Sequence, residues 1–113
     1  MAHVGNFLMI LLIMAMYQTT VAKKSRNCNC KVVHANNYGT ELHDFHTILS
    51  CSGHLRCICL RKPMRTCASD CEARVNEWAN YHCPSNWKGT PVRSSYSTDG
   101  CGSGTGQLVH NCQ

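Results

Sequence analysis

The chain has 113 residues, of which ten are cysteine and 15% are charged, and its formal net charge is +5. That length holds a single domain. Cysteine at this density excludes an ordinary reduced intracellular protein built on a large apolar core and points to a disulfide scaffold from an oxidising compartment.

The first element is an apolar run from Phe7 to Met16, unbroken between Leu8 and Met14. It reaches about half the roughly 20 residues that a bilayer-spanning helix needs. Small and polar residues follow it as far as Ala22, which is the layout of a secretory signal peptide over residues 1–22, cut after Ala22. The expected mature product is exported, and export rather than charge excludes a nucleic-acid partner. Next comes Lys23-Lys24-Ser25-Arg26, a basic step that reads either as an exposed start or as a processing segment over 23–26. Processing there would begin the domain at Asn27 (27–113) and, by removing three cations, lower the net charge from +5 to +2.

All ten cysteines follow the leader: Cys28, Cys30, Cys51, Cys57, Cys59, Cys67, Cys71, Cys83, Cys101 and Cys112. An even count in a secreted chain predicts five bridges, and the sequence alone leaves their pairing open. The bridges substitute for core, because large apolar residues are few: Leu42, Phe45, Ile48, Leu49, Leu55, Ile58, Leu60, Val75 and Trp78 stand out. No fixed-period repeat divides the chain.

Two segments carry helical periodicity. From about Thr40 to Cys51, Leu42, Phe45, Ile48 and Leu49 form an apolar stripe, and Gly53 ends it. From Ser69 to Cys83, Ser69 and Glu72 form a capping-box pattern. In that second segment Cys71, Val75, Trp78 and His82 recur on one face, and Pro84 stops the helix. Between the two, His54 to Lys62 is ambiguous. Cys51, Leu55 and Ile58 suit a helix, whereas Leu55, Cys57 and Cys59 alternate as in a strand; the bracketing Gly53 and Pro63 favour the helix. Cys67 and Cys71 share a helical face, so they should not bond each other, and their bridges are expected to run outward toward the Cys51–Cys59 segment. From Pro84 onward Ser, Gly, Thr and Pro predict loops tied by Cys101 and Cys112. The expected fold is a small, disulfide-rich, mainly α-helical bundle of saposin-like type with a looped C-terminal tail.

Candidate chemistry is sparse. His43-Asp44 has the residue types of the helical water-orienting pair of secreted phospholipases A2, but Leu42 and Phe45 flank it where that family has cysteines. His43 and His46 would stand one helical turn apart, a spacing that can clip zinc, yet structural zinc pairs cysteines at Cys-x2–4-Cys spacing. There is no Gly-x-Ser-x-Gly, His-Glu-x-x-His or phosphate-binding loop. The chain therefore reads as a non-enzyme without metal or cofactor. The charge pattern says more. Arg56, Arg61, Lys62 and Arg65 fall within ten residues that hold no acid. On a rigid scaffold such a patch either keeps the protein soluble or steers it toward an acidic partner. Trp87 and Tyr96, in the polar tail, are contact candidates or packing groups.

A short precursor, a basic step before the first cysteine, and ten cysteines with no vicinal pair resemble the large cone-snail toxins, the con-ikot-ikot and saposin-like macro-conotoxins. The resemblance covers the mature chain. It implies a secreted venom toxin that inhibits or modulates a neuronal ion channel of another organism, voltage-gated calcium channels and ionotropic glutamate receptors being the precedents, and a tendency to form homodimers. Arg56, Arg61, Lys62 and Arg65 are then the candidate target-binding residues. The competing expectation is an endogenous secreted ligand, a pheromone or host-defence peptide.

Overall fold

A computed structural model describes residues 25–113. The signal peptide expected over residues 1–22 and Lys23-Lys24 lie outside the described residues, while Ser25 and Arg26 open the first strand. That strand, β1, spans Ser25–His34 and is followed by β2 (Asn37–Ser52). One α-helix, α1, covers Cys67–Tyr81. A 3-10 turn at Ser85–Trp87 leads into β3 (Pro91–Thr98), β4 (Gly102–Thr105) and the short β5 (His110–Asn111). The strands form one antiparallel sheet in the order β2-β1-β3-β4, with β5 also paired to β3. The helix packs across β3 and β1. Among the described residues the protein is therefore a disulfide-rich sheet covered by one helix, not the helical, saposin-like bundle that the periodicity predicts.

β2 accounts for most of the difference. Its pairing with β1 slips by one residue three times, leaving Ile48, Phe45 and Leu42 without a partner residue on β1. An extra residue at each bulge keeps its neighbour's face and breaks the period of two. Repeated every third residue, the bulges space the inward side chains by three, and that spacing imitates the i, i+3 stripe of a helix. All three residues pack half-buried against the core. Tyr38, Thr40, Thr47 and Ile48 have the β-branched and aromatic character that suits a strand. His46 adopts φ 60° beside the Phe45 bulge, and its N–H donates to Asp44 Oδ1 at 2.7 Å.

The segment from His54 to Lys62 is not a helix either; it is a run of turns. The C-terminal tail, expected as loops, supplies three strands. Small residues there serve close packing. Tyr96 stands directly opposite Gly104 in the β3–β4 pairing, and a Cβ on Gly104 would come within 3.1 Å of the Tyr96 hydroxyl. Glycine lets the ring lie flat over the neighbouring strand.

The helix forms close to where its periodicity predicts. Cys67, Cys71, Val75, Trp78 and Ala79 are its buried residues, one stripe at spacings of four, four, three and one. His82, expected on that face, is the exposed C-cap. The capping box is not used: Thr66 holds the N-cap position without a side-chain cap, and Ser69 Oγ donates to Thr66 O at 3.0 Å.

Five disulfides close the fold: Cys28–Cys67, Cys30–Cys71, Cys51–Cys57, Cys59–Cys101 and Cys83–Cys112. The helix is bridged outward as its face requires, but to β1 and not to the Cys51–Cys59 segment. The match is metric. Residues two apart on a strand are about 6.8 Å apart on one face, and residues four apart on a helix are about 6 Å apart on one face. Cys-x-Cys on β1 thus meets Cys-x3-Cys on α1 as two parallel rungs. Around them sit Val32, Val75, Trp78, Ala79 and Val92, all buried, with Met64 beside the Cys28–Cys67 rung. Trp87 and Tyr96 pack half-buried against this core.

Candidate functional site

The basic residues singled out from the sequence lie in the segment between β2 and α1. Two half-cystines, Cys57 and Cys59, and the buried Met64 hold that segment in place. Cys57 and Met64 are 1% and 5% exposed. The Cys51–Cys57 bridge ties the segment back to β2, and the Cys59–Cys101 bridge ties it to the turn before β4. Between these anchors the backbone closes on itself, with Arg61 N–H donating to Ile58 O at 3.1 Å and Arg65 N–H to Arg61 O at 2.9 Å. The Lys62–Pro63 peptide is cis.

Arg56, Arg61 and Lys62 converge on one shallow depression that Ser50, Cys51, Ser52 and Pro63 complete. Arg65 is not part of its lining; it stands one turn further along, joined to Arg61 through the backbone. All four side chains are exposed. Among the described residues the ion pairs are Lys31–Glu41, His46–Asp44 and His110–Glu72, so none of these four cations is neutralised by a neighbouring carboxylate.

Two features of this surface escape the sequence reading. Arg26, expected as part of an exposed basic start or of a processing segment, lies in β1 opposite Cys51, and its Nη1 donates to Cys101 Sγ at 2.7 Å with Cys59 Sγ 3.1 Å away. It adds a cation beside the loop. Leu55, Ile58 and Leu60, counted among potential core residues, are 69%, 39% and 80% exposed. The signal in the sequence is that helical and strand periods compete over His54 to Lys62 and neither runs uninterrupted.

The remaining candidates do not assemble into reactive sites. His43 and Asp44 occupy consecutive strand positions, which point to opposite faces. His43 stacks on Trp78 with ring centroids 5.6 Å apart, and Phe45 meets it edge-on at 4.7 Å. Asp44 is occupied with His46, whose Nδ1 is 3.6 Å from Asp44 Oδ2. With β2 a strand, His43 and His46 are not a helical clip, and the described residues contain no group of three or more His, Cys, Asp or Glu side chains able to hold a metal.

A second polar locus joins three elements. Glu72 of α1, Ser94 of β3 and His110 of β5 meet beneath Gly106, with Glu72 Oε1 3.7 Å from His110 Nε2. Ser94 is 1% exposed, too deep for its hydroxyl to meet a substrate, so the locus ties the C-terminal strand to the helix. Gly106 is the residue that lets them close: its N–H donates to Ser94 O at 2.8 Å, while an added Cβ would collide with Ser94 Oγ and come within 3.0 Å of Glu72 Oε1. Gly106→Ala should therefore destabilise the fold by about 1–3 kcal/mol through overpacking. Adding Ser94→Ala, which removes the colliding oxygen, should restore most of the loss in urea unfolding; no recovery would place the cost in the backbone instead.

Compared with models of known protein families, with curated proteins and with solved structures, the chain matches none. The five disulfides are compatible with an extracellular protein, and among the described residues no helix is long and apolar enough to cross a membrane.

Proposed function

We propose that this is a secreted binding protein of the venom-toxin kind, acting on an ion channel or receptor in the membrane of another organism by setting its cationic loop against an acidic surface. The observation that supports it is the convergence of Arg56, Arg61 and Lys62 on one depression, exposed and free of carboxylate partners, in a loop anchored by two disulfides. Unneutralised charge on a rigid support attracts an opposite surface at range, and the support limits the ordering cost on contact. Binding rather than turnover suits a molecule whose His43 is stacked on Trp78 and whose Ser94 is buried.

The test is electrophysiology across a channel panel, voltage-gated calcium channels and ionotropic glutamate receptors first, comparing the protein with its R56Q/R61Q/K62Q/R65Q variant. Exposed charges contribute little to folding, so the variant should keep its fold. Its association rate should fall about tenfold or more, and the salt dependence of that rate should flatten. An unchanged on-rate would reduce the patch to a solvated face.

A further inference from the structure

The loop that carries the cations also displays three large aliphatic side chains, and the channel reading makes no use of them. Leu55 and Leu60 are among the most exposed apolar residues described, at 69% and 80%, and Ile58 is 39% exposed. They alternate with the basic residues along the chain: Leu55-Arg56, then Ile58, then Leu60-Arg61-Lys62. This is not a loosely placed segment that sheds apolar groups for want of a core. Its Cys57 and Met64 are inside, and Cys59 is bridged to Cys101, so the same loop buries two side chains while presenting three to solvent. No acid occurs between Arg56 and Arg65, and Arg26 adds positive charge where it rests on the Cys59–Cys101 bridge.

We infer that residues 55–65 form a membrane-docking surface whose occupant is an anionic phospholipid bilayer. The guanidinium and ammonium groups would meet headgroup phosphates and carboxylates, while Leu55, Ile58 and Leu60 enter the boundary between headgroups and acyl chains. Charge complementarity selects this occupant. An acidic protein surface would satisfy the cations but leave the aliphatic groups between them in water or against polar atoms, whereas an anionic interface satisfies both at once. Each cation near such a surface is worth roughly a factor of five in partitioning, and a leucine removed from water roughly a factor of ten or more. The inference goes beyond the channel reading because it requires no protein receptor.

The test is sedimentation of the oxidised, secreted protein with vesicles of phosphatidylcholine containing about 30% phosphatidylserine, beside vesicles of phosphatidylcholine alone. The protein should bind the anionic vesicles and bind neutral ones at least about tenfold more weakly. The L55S/I58S/L60S variant should lose about tenfold or more on the anionic vesicles even at low salt, with an unchanged unfolding midpoint. In L60W the indole emission should shift to the blue on anionic vesicles. Failure of the wild type to sediment, equal binding by the triple-serine variant, or an unshifted L60W spectrum on bound protein would each overturn the inference. If the quadruple glutamine variant still loses its channel on-rate in that case, the partner of the cations is protein and the earlier reading stands.

Discussion

Replacing Cys30 and Cys71 together with alanine is expected to be among the most damaging paired changes to this fold. The bridge joins residues 41 apart in sequence, but with the parallel Cys28–Cys67 rung intact the ring it newly closes holds about six residues, which constrains the unfolded chain by about 2 kcal/mol. Both residues are essentially inaccessible, at 1% and 0% exposed, and sit among Val32, Val75 and Trp78, so truncation also leaves a void. For a domain of this size the lost constraint alone corresponds to a fall in Tm of about 8–16 °C, and the void adds to it. Replacing Cys51 and Cys57, which are only 6 apart, should cost about 2 kcal/mol by the same argument, so the void left by Cys30 and Cys71 decides the order. Thermal unfolding of the two variants side by side checks the order. If the short-loop variant were the less stable, packing around the rung between α1 and β1 would not be the deciding term.

Trp78→Ala should have a comparable effect by a different route. Its ring is the largest apolar group in the principal core and is 5% exposed. It carries the stacked His43 ring, which in turn holds Phe45 edge-on. Truncating a buried tryptophan costs about 3–5 kcal/mol through lost transfer energy and cavity formation. Because His43 and Phe45 belong to β2, the damage should spread from the helix to the far edge of the sheet. Hydrogen exchange in the variant should show the β2 amides losing protection together with those of α1. Loss confined to the helix would mean that β2 is held by its pairing with β1 alone.

The helix was legible because its buried stripe obeys the helical period over its whole length, from Cys67 to Ala79. β2 imitates a helix for a physical reason. Bulges at Leu42, Phe45 and Ile48 impose a spacing of three on a strand, and a sequence pattern records the spacing of inward side chains, not the hydrogen-bond partner that creates it. β1 carries the plain strand alternation in Cys28, Cys30 and Val32, all buried. Yet two Cys-x-Cys pairs could have met the helix, and only the one in regular strand geometry does. β3 hid in a polar tail because a central strand under a closely packed helix needs small side chains, as Ser94 shows at 1% exposure. The cationic site was legible as a charge cluster, whereas the convergence of Arg56, Arg61 and Lys62 without Arg65 depends on where the loop turns.

By itself, the sequence determined the disulfide character, the position and buried face of the helix and the concentration of positive charge before it, since each is a local property of residue type and spacing. The tertiary structure decided that the remainder is sheet, which half-cystines pair, and that Leu55, Ile58 and Leu60 face outward while Met64 faces in. Those outcomes turn on distances between segments far apart in the chain. Strand pairing, the fit of a two-residue strand step to a four-residue helix step, and the side of a loop left over after its bridges close are set only when the segments meet.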